Sequence, residues 1–133
     1  MLHGSIRFCF VELSFIQLSA FASNWKRMKL ADDDLRVLES AIATAAPDAP
    51  PVMRGTGGLR KIRFAPRRAG AGKSGGARAC YAYFAEFGLV YLRAVFPKNE
   101  KANLTASESE AYRKVLESFR RYLREHGKKG LTP

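Results

Sequence analysis

Leu59-Arg60-Lys61-Ile62-Arg63-Phe64-Ala65 alternates residue by residue, with Leu59, Lys61, Arg63 and Ala65 on one side and Arg60, Ile62 and Phe64 on the other. A β-strand sends successive side chains to opposite faces, so this stretch predicts a strand that presents Lys61 and Arg63 together. Downstream, Ala77–Phe84 and Leu89–Phe96 are rich in aromatic and branched residues and read as two further strands. Ala85-Glu-Phe-Gly88 between them has the length and glycine of a hairpin connection.

Upstream, Ile6–Val11 reads as a first strand, and Phe15, Leu18, Phe21, Trp25 and Met28 recur at the spacing of a helix stripe. Asp32, Asp33 and Asp34 open a second helix, whose stripe is Leu35, Leu38, Ile42 and Ala45. Pro47, Pro50 and Pro51 stop it. At the other end, Thr105-Ala-Ser-Glu108 is a capping box, in which hydroxyl and carboxylate each satisfy a first-turn amide. The helix that follows carries the stripe Tyr112, Val115, Leu116, Phe119, Tyr122 and Leu123, with its arginines and lysines outside it as a solvated face. The order β-α-α-β-β-β-α, ending in hairpin-connected strands, predicts an α+β fold with an antiparallel sheet packed against helices. One domain over residues 1–133 fits the length, with flexible tails at about 1–5 and 127–133.

The charge is one-sided. Of a formal net charge of +11, eight cations and no carboxylate fall between Ala49 and Ala85. Gathered on one face, such cations suit a polyanion, which for a small protein usually means nucleic acid. Cys9 and Cys80 stand far apart without a histidine nearby, which argues against a zinc site or a disulfide framework and fits a reducing cytosol. Ala20-Phe21-Ala22 resembles a leader-cleavage site. Glu12, Gln17 and a single preceding Arg7 favour an ordinary strand and helix there instead. No apolar run reaches the length of a membrane span, so no membrane partner is expected.

Gly70–Gly76 invites comparison with a phosphate-binding loop, but Arg67 stands where the motif needs its first glycine, and a strand rather than a helix follows. His3 and His126 lie near the termini without ligand partners at a recognisable spacing, so neither a metal site nor a nucleophile–histidine pair is expected. RNA cleavage suits what remains. The 2′-OH is the substrate's own nucleophile, and guanidinium and ammonium groups can align it and neutralise the phosphorane.

Three ordered motifs carry a resemblance. Arg54-Gly-Thr-Gly-Gly-Leu-Arg-Lys-Ile-Arg-Phe64, Gly72-Lys-Ser-Gly-Gly-Ala-Arg78 and Lys98-Asn-Glu-Lys-Ala-Asn-Leu-Thr105 closely resemble the RelE/HigB family of bacterial toxins, over about Phe10 to Lys114. The resemblance implies an antiparallel sheet with two N-terminal helices and a C-terminal helix. It also implies a cytoplasmic endoribonuclease that cuts translated mRNA in the ribosomal A site without metal or cofactor, leaving a 2′,3′-cyclic phosphate and a 5′-hydroxyl. The implied partner is a cognate antitoxin, often with a helix-turn-helix domain. Lys61 then matches a proton acceptor or shuttle, Arg63 a phosphate ligand, and Arg78 the clamp on the scissile phosphate. Lys98 and Lys101 fall at the family's basic cluster, and Arg60 and Lys73 are further candidates for binding RNA. The family's base-stacking tyrosine has no clear counterpart. Tyr81 and Tyr91 are substitutes only if their strand faces point to the site. Two alternatives stay open: a non-catalytic toxin fold that binds RNA or antitoxin, and a ParE-type toxin that poisons DNA gyrase. Lys61, Arg63 and Arg78 favour cleavage, which requires them to converge.

Overall fold

The structure is a computed structural model and describes residues 2–8, 11–45, 50–66, 76–98 and 105–127. The chain runs β1 (Leu2–Phe8), β2 (Val11–Gln17), α1 (Ser19–Arg27), α2 (Asp32–Ala45), β3 (Leu59–Phe64), β4 (Ala77–Phe84), β5 (Leu89–Pro97) and α3 (Ala106–His126). The strands form one five-stranded sheet in the order β1-β2-β5-β4-β3. The α+β class and the placement of the helices agree with the sequence. The sheet itself is mixed, because β2 runs parallel to β5 while every other pair is antiparallel. The two-helix crossover returns the chain so that β5 lies alongside β2 in the same direction. Hydrophobic periodicity reports faces and carries no information on strand direction.

The N-terminal region also differs from expectation. Phe15 belongs to β2 and not to the first helix, which begins only at Ser19. Leu13 and Phe15 face one core while Ile16 faces the other, the two-residue alternation of a strand buried on both sides. Leu2–Ser5, expected as a flexible tail, lie in β1 and pair with β2. Of the expected C-terminal tail, only Gly127 is among the described residues.

Helices cover both faces of the sheet, but unequally. On one face α1 and α2 pack Phe21, Trp25, Leu35, Leu38 and Ile42 against Phe15, Phe64, Ala79, Tyr81, Leu92 and Val95. Trp25 is sandwiched, its ring 5.6 Å from that of Phe21 and 5.9 Å from that of Phe64, in stacked geometry. On the other face α3 lays Leu116, Phe119 and Leu123 on Leu59, Ala82, Phe84, Leu89 and Tyr91. All five of these sheet residues lie at the β4–β5 hairpin end. At the far end of the same face, which carries Lys61, Arg63 and Arg78, none of the α3 core residues packs among the described residues.

Two local devices fix α3 against β3. The capping box is present as expected, with the Glu108 amide donating to Thr105 Oγ1 at 3.1 Å and the Thr105 amide to Glu108 Oε1 at 2.8 Å. The turn before β3 then docks on the helix. Thr56 is 1% exposed, and its hydroxyl donates to the Met53 carbonyl at 2.7 Å and accepts from the Leu59 amide at 3.0 Å. Gly57 adopts φ +77°, and a Cβ there would stand 2.9 Å from Arg113 Cγ and 3.2 Å from its Cα. Only glycine meets both requirements, so this turn brings β3 close to α3. Arg120 extends over the Phe84 ring at 5.3 Å and donates to the Gly57 carbonyl at 3.4 Å, a buttress rather than the solvated cation expected. Val115, expected in the buried stripe, is 47% exposed because it lies on the flank of the Tyr112–Leu116–Phe119–Leu123 seam.

Candidate functional site

The register of β3 on β4 decides what the cations can do together. Arg63 pairs directly with Arg78, and Lys61 pairs with Cys80. Residues opposite one another on an antiparallel pair project to the same face, with their Cβ atoms about 4.5–5.5 Å apart. Arg63 and Arg78 therefore stand side by side, with Lys61 two residues along the same face. Two arginines at a directly opposed position repel, and their spacing suits a group with several negative oxygens between them. Among the described residues, the ion pairs are Arg36 with Asp33 and Arg113 with Glu110 and Glu117, none of which involves a strand cation. No described carboxylate compensates Lys61, Arg63 or Arg78. Arg78 Nε is buried and has no hydrogen-bond acceptor among the described residues.

An open cleft of about 370 Å³ lies at this end of the sheet, lined by Arg63, Phe64, Ala65, Gly76, Ala77, Arg78 and Lys98. Lys98 joins it because its amide donates to the Gly76 carbonyl at 3.0 Å, closing the end of the β4–β5 pair. Lys61 is set inward and does not line the cleft, although it shares the face. The structure thus brings Arg63, Arg78 and Lys98 to one cleft with Lys61 adjoining. It sends Arg60 to the opposite face, where its guanidinium donates to the Pro50 carbonyl at 3.1 Å. Lys73 and Lys101 lie outside the described residues.

Neither core tyrosine is open to a ligand. Tyr81 is buried against α1 and α2 on the opposite face, and Tyr91 is buried beneath α3, 5.2 Å from the Phe119 ring. Burial raises both phenols above their ordinary range. Two residues that alternation alone did not point to do reach this face. Phe96, the β5 partner of Arg78, is half-buried, and Arg93 enters from a register irregularity in β5. A lone cation inside Leu89–Phe96 was the available signal for Arg93, whereas the irregularity that aims it leaves no mark in the sequence.

Cys80 forms the floor between these cations. Burial pushes its thiol from 9.0 up to about 11, against the opposing pull of Lys61 and Arg93. The unfolded chain releases this proton first, so the contribution of the neutral thiol is complete below about pH 8.5 and is lost as pH rises towards 11. Unfolding stability should therefore fall between about pH 9 and 11, by up to about 3 kcal/mol from this group. Urea titrations of the wild type and Cys80→Ala across that range test it. An equal decline in both would assign the effect to other groups.

A family model described as the RelE toxin of the RelE / RelB toxin-antitoxin system matches residues 16–129. The chain belongs to the RelE toxin family. The match takes in β3, β4, β5 and α3, and hence every described residue of the cleft, while β1 precedes it. Membership makes the protein the toxin of a toxin-antitoxin pair, with an antitoxin as its partner. No helix among the described residues is long and apolar enough to cross a membrane.

Proposed function

We propose that this RelE-family toxin is an mRNA endoribonuclease, acting without metal or cofactor on message being translated in the ribosomal A site of the bacterial cytoplasm. The observation that carries the reading is the directly opposed pair Arg63–Arg78, on a face that also holds Lys61 and has no compensating carboxylate among the described residues. In this reading the scissile phosphate sits in the cleft with its non-bridging oxygens between the two guanidiniums. Attack of the 2′-oxygen on phosphorus adds negative charge to those oxygens, which the fixed arginines meet without reorganising. Lys61 lies beside the pair and shuttles the proton between the 2′-hydroxyl and the leaving 5′-oxygen. Bond formation from the 2′-oxygen and release of the 5′-oxygen leave a 2′,3′-cyclic phosphate and a 5′-hydroxyl. Lys98 at the rim binds the backbone alongside. The cognate antitoxin, with a helix-turn-helix domain of its own, restrains the toxin until it is removed.

Primer extension on a reporter message tests this, with the message translated, or incubated with the toxin in the absence of ribosomes. Discrete cuts within the reading frame, confined to the translated sample, are expected. A translated message left intact would overturn the nuclease reading, and accompanying gyrase-dependent DNA breaks would replace it with gyrase poisoning.

A further inference from the structure

β5 holds one cation, Arg93, in the apolar run Leu89-Val-Tyr-Leu-Arg-Ala-Val-Phe96. The β4–β5 register shifts at this point: Cys80 pairs with Ala94 while the next residue, Tyr81, pairs with Leu92. Arg93 is the extra residue left between them. A bulge of this kind bends the strand and re-aims a side chain. Here the guanidinium lies 4.7 Å from the centroid of the Tyr112 ring, and Tyr112 belongs to the α3 layer. The bulge has therefore turned Arg93 to the face that carries Lys61, Arg63 and Arg78. Lys61 stands across from Cys80 on one side and Arg93 beside it on the other.

An arginine laid over an aromatic ring uses the face of its planar guanidinium and keeps its in-plane N–H donors for another partner. Among the described residues no carboxylate takes up those donors. By strand geometry the Arg93 position is offset from Arg78 by two to three residues along (about 7–10 Å) and one strand across (about 4.8 Å). Extended single-stranded RNA spans such a distance in one or two nucleotides. We propose that Arg93 holds a phosphate of the RNA strand neighbouring the one that is cut, so that the strand runs from the Arg63–Arg78 pair past Lys61 towards α3. Arg93 is in this account a binding residue, remote from the bonds that change. The proposal takes its ligand from the ribonuclease reading above.

The test uses a labelled 2′-O-methyl RNA octamer, which lacks the attacking hydroxyl, and follows binding by fluorescence anisotropy across a salt series. Arg93→Met keeps the stem over Tyr112 and removes the charge, and Arg93→Lys keeps a charge. Arg93→Met should bind about five- to tenfold more weakly at low salt, with the log–log salt slope reduced by about 0.7, the loss of one phosphate contact to a single strand. Arg93→Lys should recover the slope. Wild-type binding with an Arg93→Met variant of equal affinity and slope would overturn the Arg93 assignment alone. A wild type that fails to bind the octamer at any salt would overturn the RNA ligand and, with it, this proposal.

Discussion

Arg78→Ala should slow single-turnover cleavage of translated message by about two to three orders of magnitude, the usual loss when one donor to a developing oxyanion is removed. Stability should move the other way or not at all. Arg78 faces Arg63 directly across the β3–β4 ladder, and opposed like charges cost a sheet about 0.2–1 kcal/mol. A residue kept for packing would lower the melting temperature when truncated, whereas a residue kept for phosphate should leave it unchanged or slightly raised. The divergence between rate and stability therefore identifies the role. Arg78→Lys sharpens the test, since an ammonium keeps the charge but cannot grip two phosphate oxygens in the plane of a fork. It should recover binding to ribosomes more fully than it recovers rate. An Arg78→Ala variant that cleaves within a few-fold of wild type would remove the guanidinium pair from the chemistry.

The pair was legible as separate cations in the sequence, and the reason it became a pair was not. Period-two alternation in Leu59–Ala65 correctly placed Lys61 with Arg63 and set Arg60 apart, because a strand's pleat is a local property. Which residue of β4 lies opposite Arg63 depends on register, which is set by the whole β3–β4–β5 meander and has no local signature. The same limit hid the parallel β2–β5 contact and the bulge at Arg93. Helix ends were easier where side chains themselves form the cap, as at Thr105 and Glu108. They were harder at Ser19, where Phe15 and Leu18 continue a spacing of three and four into a strand. An apolar residue at such a spacing fits both periods over so short a run.

The cleft also depends on a residue far from it in sequence. Trp25 lies on the opposite side of the sheet, but its ring stacks on Phe64, which adjoins Arg63 and lines the cleft. The aromatic run Phe21–Trp25–Phe64 ties α1 to the open end of β3, the edge strand that carries two of the three proposed catalytic cations. Trp25→Ala should cost about 3–5 kcal/mol, since it deletes a large buried side chain and leaves a cavity that Phe21 and Phe64 cannot fill together. Urea unfolding followed by circular dichroism would read this as a lower midpoint at a similar slope. Trp25→Phe keeps a ring in the stack and should lose much less. The activity of the folded fraction of Trp25→Ala should fall as well, because Phe64 no longer fixes the β3 end and Arg63 loses its set distance from Arg78, whereas Trp25→Phe should cleave nearly as well as wild type. A Trp25→Ala protein unfolding at the wild-type midpoint would show that the stack contributes nothing to the fold. One that unfolds early but cleaves normally when folded would show that α1 does not position β3, and that the register with β4 alone holds the two guanidiniums together.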